Sequence, residues 1–445
     1  MPMSEVWALL VYALIALSAV ASLYFMRLMP IFPIMAIMLL SRVYFDGVNK
    51  FSIGGVNITS LLGALLLGIA IGMVITGLYG IIPFVALLVI LYFSNLQAQA
   101  GFGPELSDEF VRFASVLGVF FIVLNLRVRP TTKAVLLLIQ LMGLVSAVFA
   151  IAQLFLGTGM QVQGLTRIAG TMAHPNSAAL LYGVALTASV VSFFAGISRR
   201  RSMIASFIFA ASLLITGSIG GVIAAVVMLS SYGLLAYRVP RRVRSVTVSL
   251  VAVTVLGFVL SPLGGARLEE FSTIDVSGGS ESNSLEWRLG RWGNILSYWR
   301  ESPLLGQGFG ASTKGAMLNG YPPHNEYVRA LVEVGIVGFV LIAVFVCASV
   351  WRIKKVASER ESESILPSLT LAVLIGMLVN ALSENTLMYS VPAYLLALLL
   401  GMMWSADSQF ENSQPVSKRS LLLRNSDYFI TKGGRLIPRR MSVTS

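Results

Sequence analysis

Runs of roughly 20 apolar residues recur along this chain from Val6 to Trp404, and they restrict its fold more than any other feature. Each is long enough to cross a hydrocarbon core about 30 Å thick. Inside such a core every backbone N–H and C=O needs an internal partner, which a helix supplies within one segment. Composition agrees: 56% of residues are hydrophobic and 12% charged, with a mean hydropathy of +0.82, whereas a soluble domain carries about 25% charged residues. The expected fold is therefore an all-α polytopic membrane protein. Candidate spans begin with Val6–Met26 and Met29–Phe45 and end with Leu366–Ser383 and Tyr389–Ser405. Residues 58–93 read as two short helices or one broken one, which leaves about 12–13 spans. The first span follows MPMSE, which has no basic n-region, and reads as a retained helix.

Basic residues set the orientation. Arg127, Arg129 and Lys133 form one group, Arg199, Arg200 and Arg201 a second, Arg238, Arg241, Arg242 and Arg244 a third, and Arg352, Lys354 and Lys355 a fourth. They fall in alternate loops, so the positive-inside rule places those loops and the C-terminus in the cytoplasm. The segments at 157–176, Gly217, 264–326 and Glu384–Asn385 then face the other side. Residues 1–405 form one membrane domain, and 406–445 a basic, patternless cytoplasmic tail that contacts anionic lipid. Topology thus accounts for the net charge of +12 without invoking nucleic acid.

Several chemistries are disfavoured. The single cysteine, Cys347, lies in an apolar run and permits no intrachain disulfide. There is no D-x-D pair and no His/Cys/carboxylate cluster of metal-ligand spacing, so neither a metal nor another cofactor is expected. A Walker-type loop is missing too, and the spans lack the chain of buried carboxylates expected of a proton-driven transporter.

The polar residues gather in the longest external loop, 264–326. Its first half, DVSGGSESNS, is Gly- and Ser-rich. Its second half carries apolar and aromatic residues at helical spacing from Leu285 to Trp299 and suits a helix at the membrane interface. Arg288 and Trp292 share one helical face, with Arg291 close to it. Two guanidiniums on an external face suit a diphosphate, because the planar fork donates bidentate bonds to phosphate oxygens; snorkelling to the headgroups is the competing explanation. A Gly-rich turn, PLLGQGFG, follows at Pro303–Gly310. His324 and Asn325 then stand at the mouth of the next span, where an imidazole suits a general base. Glu333, deeper in that span, calls for a buried partner on a neighbouring helix. A second external site, GLTRIAGTMAHPN, holds Arg167, His174 and Asn176, with Gly164 and Gly170 allowing a close backbone approach. Asn176 suits a helix cap there, and Arg167 reads equally as an interfacial arginine.

These residues resemble a known family. Arg167 with Pro175–Asn176, the R-x-x-x-W pair at 288–292, P-L-L-G-x-G-F-G, and H-N-x-x-x-x-x-L-x-E-x-G-x-x-G from His324 to Gly338 are similar to motifs of the O-antigen ligase and O-antigen/exopolysaccharide polymerase superfamily. The resemblance covers roughly 160–340. It implies a GT-C-like, metal-independent glycosyltransferase of the bacterial inner membrane, active on the periplasmic face, with an undecaprenyl-diphosphate-linked glycan as donor. Arg167 and Arg288, with Arg291 beside them, would bind the diphosphate. His324 would activate the acceptor hydroxyl, supported by Asn325, Glu333 and Trp292. The acceptor would be a growing exopolysaccharide or O-antigen chain, or, for a ligase, lipid A-core; polysaccharide export or chain-length proteins would be partners. Ser218-Ile219-Gly220-Gly221 departs from the family's S-R-G-A, which puts in doubt any substrate contact at that turn. A lipid-linked oligosaccharide flippase and a non-catalytic assembly subunit are the competing functions. The former predicts a polar central pathway, and the latter tolerates loss of His324.

Overall fold

A computed structural model of the chain describes residues 15–18, 20, 31–47, 52–53, 56–77, 80–103, 107–162, 165–235, 241–260, 265, 284–314, 322–359, 364–405, 428–430 and 436–438. Most of the expected span Val6–Met26, the DVSGGSESN stretch, Gly164 and the Trp287 side chain lie outside them. The chain divides into two units, Met1–Met403 and Trp404–Ser445. Within the second, Tyr428–Ile430 pairs antiparallel with Leu436–Pro438, a local ladder in a stretch that reads as patternless from sequence.

The first unit is helical. Its helices are α1 (Ile31–Phe45), α2 (Ile58–Gly77), α3 (Ile81–Phe102), α4 (Ser107–Leu124), α5 (Thr132–Leu156), α6 (Pro175–Phe194) and α7 (Arg199–Ile215). They continue as α8 (Ile219–Leu235), α9 (Arg241–Val259), α10 (Ser284–Glu301), α11 (Ala311–Lys314), α12 (Glu326–Glu359), α13 (Ile365–Asn380) and α14 (Ser390–Trp404). The described residues include 5 helices long and apolar enough to cross a membrane, α2 to Thr76, α3, α5, α6 and α12, with shorter apolar helices among the rest. This is the all-α polytopic membrane fold that the apolar runs predict. Residues 58–93 prove to be two separate helices, α2 and α3, the second extending to Phe102. The helix expected from Leu285 to Trp299 in the long loop is part of α10. At the centre stands α6, buried from Pro175 to Ser192 and packed by α5, α7, α8 and α13.

The span whose mouth His324 and Asn325 mark belongs to a longer element, α12, that breaks at Gly335, where φ is 63° and ψ −172°. In an unbroken helix the N–H groups of 336 and 337 would meet the carbonyls of 332 and 333. Here the Pro303–Gly310 turn separates them and pairs all four groups. Ile336 and Val337 donate to the carbonyls of Pro303 (2.9 Å) and Leu304 (3.2 Å), while those of Val332 and Glu333 accept from Gln307 (2.8 Å) and Gly308 (3.0 Å). These four groups keep partners, as burial among apolar helices demands. The turn is therefore structural, and it needs glycine opposite it: a Cβ on Gly335 would lie 2.2 Å from the Leu304 carbonyl oxygen. Gly335→Ala should lower stability by about 3 kcal/mol or more, through the positive φ and this clash. The thermal unfolding midpoint in detergent checks this, and an unchanged midpoint would show that the turn is not inserted as described.

Candidate active site

At the end of α6 where Pro175 opens the helix, side chains from five segments gather around Glu384, four of them in direct contact with it. The first segment is the hairpin of β1 (Met160–Val162) and β2 (Leu165–Arg167), in which Arg167 pairs with Met160. Arg167 is only 4% exposed. Its Nε donates to the Thr216 carbonyl (2.9 Å) and its Nη2 to Asn176 Oδ1 (2.7 Å). The Ser218–Gly221 region, despite its lack of a basic residue, thus adjoins the site through the Thr216 backbone.

The second segment is the start of α6. The cap expected from Asn176 is supplied instead by His174, whose Nδ1 accepts from the Asn176 N–H (3.2 Å). Proline at the first helical position has no N–H to cap, so the reach from His174 to the next donor is short. Asn176 is thereby released to bridge: its Oδ1 accepts from Arg167, and its Nδ2 donates to Glu384 Oε1 (2.7 Å).

The third segment is α10. Arg288 spans the Glu384 turn, with Nη1 on the Ser383 carbonyl (2.8 Å) and Nη2 on Glu384 Oε1 (3.1 Å). Trp292, one turn further, donates from Nε1 to the Pro323 carbonyl (2.7 Å) and so ties α10 to the residue before His324. Arg291 is half-buried on the same helix.

The fourth segment holds His324, whose Nδ1 lies 3.1 Å from Glu384 Oε2. Its φ is 51°, a left-handed conformation that it shares, among described non-glycine residues, with Ser198. Such a backbone costs about 1–3 kcal/mol and persists only where the surroundings fix it. Asn325 does this. Its Oδ1 caps α12 through the N–H groups of Tyr327 (3.0 Å) and Val328 (3.1 Å), and its own N–H donates to Asn385 Oδ1 (3.3 Å).

The fifth segment is the turn itself, where Tyr389 donates to Glu384 Oε2 (2.6 Å). Burial alone would raise the pKa of Glu384, but the hydrogen bond with His324, together with Arg288 and Tyr389, holds it down to about 2. An ionised carboxylate has no proton to give, so Nδ1 of His324 carries one and Nε2 is its basic nitrogen. His174 has the opposite tautomer, since its Nδ1 is an acceptor; burial lowers its pKa to about 4, opposed by Glu384.

A second buried cluster holds the turn in place. Glu326 Oε2 accepts from the Leu387 N–H (3.1 Å), and the Glu326 N–H donates to the Ala381 carbonyl (2.9 Å). Arg112 on α4 donates to the Met388 carbonyl (2.5 Å) and pairs with Glu109. Arg329 joins Glu326 (2.6 Å) to Glu333 (3.3 Å), and Ser312 Oγ closes on Glu333 Oε1 (2.6 Å). Glu333 therefore belongs to this supporting cluster, and the partners it needs are Arg329 on its own helix and Ser312 on α11.

The structure brings Arg167, Arg288 and His324 together, with Asn325 and Trp292 as their immediate supports. The sequence reading assigns no role to Glu384 or Tyr389. The signal it passed over is an acid at the mouth of a span, on the face where both histidines and the arginines were already placed.

A family model described as O-antigen ligase matches residues 204–343. That match supports the O-antigen ligase and polymerase superfamily and glycosyl transfer of that type. The matched stretch contains Arg288 and His324; Arg167 and Glu384 lie outside it. Comparison with curated proteins gives no match.

Proposed function

We propose, on the premise of an O-antigen ligase and polymerase superfamily chain, that this protein transfers a glycan from undecaprenyl diphosphate to a sugar hydroxyl at the Glu384–His324 site. The observation that carries the reading is the convergence of His324, Arg288 and Asn176 on the buried Glu384 carboxylate, with Arg167 bonded to Asn176 behind them. In the reaction His324 Nε2 takes the acceptor hydroxyl proton as that oxygen attacks the anomeric carbon of the donor. The bond from that carbon to the diphosphate breaks on the opposite side, with inversion, and the leaving group departs with the electron pair. Glu384 steadies the imidazolium that forms. Negative charge grows on the diphosphate as the bond breaks, so fixed guanidiniums stabilise the transition state more than the ground state and do so without a metal. Arg288, bound on one side to Glu384 and Ser383, presents the rest of its fork to the phosphates. Arg291 adds charge from the same helix, and buried Arg167 adds it from beneath Asn176.

Arg288→Lys should lower the rate about 30- to 1000-fold although the charge is kept, equivalent to about 2–4 kcal/mol. A single ammonium cannot bridge Ser383 and Glu384 and also grip a phosphate. Near-normal transfer at matched protein levels would reduce Arg288 to an interfacial cation.

Polymerisation of exopolysaccharide or O-antigen repeat units is the favoured outcome. Ligation to lipid A-core is a second reading, favoured by the description of the matching family. In a deletion strain, single repeats still attached to lipid A mark a polymerase, and loss of all attachment marks a ligase. The site is assigned to the periplasmic face of the inner membrane because the basic loops alternate with it. With Cys347 replaced, a membrane-impermeant thiol reagent applied to cells should label Ser297→Cys on α10 and spare Ser358→Cys near the end of α12. The reverse pattern would invert the assignment.

A further inference from the structure

A groove of about 450 Å³ lies between α5 and α7, away from the Glu384 site. From Pro175 at that site, α6 runs to Phe194, about 30 Å. Since α7 starts just beyond, at Arg199, the Arg199–Arg201 group marks the opposite end of the bundle. The same end holds Lys133 at the start of α5, because the far end of α5 leads into the Arg167 hairpin.

The groove has three kinds of wall. Its floor is apolar and partly exposed: Leu141 is 38% exposed, Leu144 37% and Ile204 48%. At its basic end stand Arg200 and Arg201, both exposed; the ion pairs formed among described residues involve neither. Between these lies Gln140, 4% exposed. One end of its amide bonds Ser189 Oγ (3.3 Å), and the other, Oε1, has no partner. Serine both donates and accepts, so the amide fits either way round, and in the turned orientation its unpaired group is an N–H₂.

We propose that this groove binds one anionic phospholipid. Its phosphate would sit between Arg200 and Arg201, an ester carbonyl would meet Gln140, and an acyl chain would run along Leu141, Leu144 and Ile204. Charge complementarity selects the headgroup: basic pockets between spans at the basic end take anionic lipids. The apolar floor and the midway amide select a lipid over a free anion. Such a ligand would brace α5 and α7 against α6, which both contact.

The test is lipid-dependent thermal stability of the purified full chain in neutral detergent. Phosphatidylglycerol should raise the unfolding midpoint saturably, whereas phosphatidylcholine and inorganic phosphate should not. The R200A/R201A pair should keep the lipid-free midpoint and show about 30-fold weaker apparent affinity for phosphatidylglycerol, from the loss of two surface charges. An equal response in the variant, an equal response to phosphatidylcholine, or a full response to phosphate alone would each overturn the proposal. Should the variant not fold, native mass spectrometry of the wild type decides: preferential retention of phosphatidylglycerol supports the site, and equal retention of both lipids removes it. Neither readout uses glycan transfer, so this inference fails independently of the proposed reaction.

Discussion

Glu384→Gln is expected to lower glycan transfer by about 10²- to 10⁴-fold, the range for loss of general-base function. The carboxylate fixes the tautomer of His324. An amide can hold Nδ1 only by presenting its oxygen, which turns its N–H₂ towards the donors of Asn176 and Arg288. Turned round, it forces the proton onto Nε2, where it blocks the base. A separate readout shows whether the carboxylate is ionised in the folded protein. Its pKa falls from 4.5 to about 2 on folding, so the ionised form is the one that folding favours. That contribution is complete above about pH 4.5 and is lost as pH falls towards 2. A shift of this size corresponds to about 3 kcal/mol. The wild type should therefore lose stability over that acid window, and the Gln variant should lack this component. Identical acid profiles, measured by unfolding midpoint, would mean that Glu384 is not held ionised.

His324→Ala should reduce turnover over the same range, about 10²- to 10⁴-fold, with donor binding little changed because the arginines remain. His174→Ala is the internal control. It removes a helix cap worth about 0.5–2 kcal/mol and should show as reduced stability with a much smaller loss of rate. If both histidine variants lose rate equally, the distinction between base and cap collapses.

The fold was legible because the bilayer leaves a chain little choice: apolar runs of spanning length are helices wherever they sit. The arginines and His324 were legible through local patterns, the R-x-x-x-W spacing and the residues opening a span. Glu384 belongs to no such pattern. It lies in a turn between two apolar helices, and its meaning comes from Asn176, Arg288 and His324, which reach it from distant parts of the chain. Asn176 shows the converse error. Its local signature as a cap was sound, but His174 could do that work, and the amide was taken up by Arg167 and Glu384. The Gly-rich turn was equally opaque, because its role depends on a break in α12 that Gly335 permits and that only the inserted backbone makes tolerable.

The central claim is that the Glu384–His324 site moves a glycan off a lipid diphosphate. It is tested most directly with purified protein, an undecaprenyl-diphosphate-linked glycan as donor and a sugar acceptor, by following release of undecaprenyl diphosphate together with the extended glycan. The wild type should produce both in equal amounts, and His324→Ala at matched protein levels should be at least about 100-fold slower. Equal rates from the two proteins, or glycan transfer without release of the diphosphate, would contradict the account.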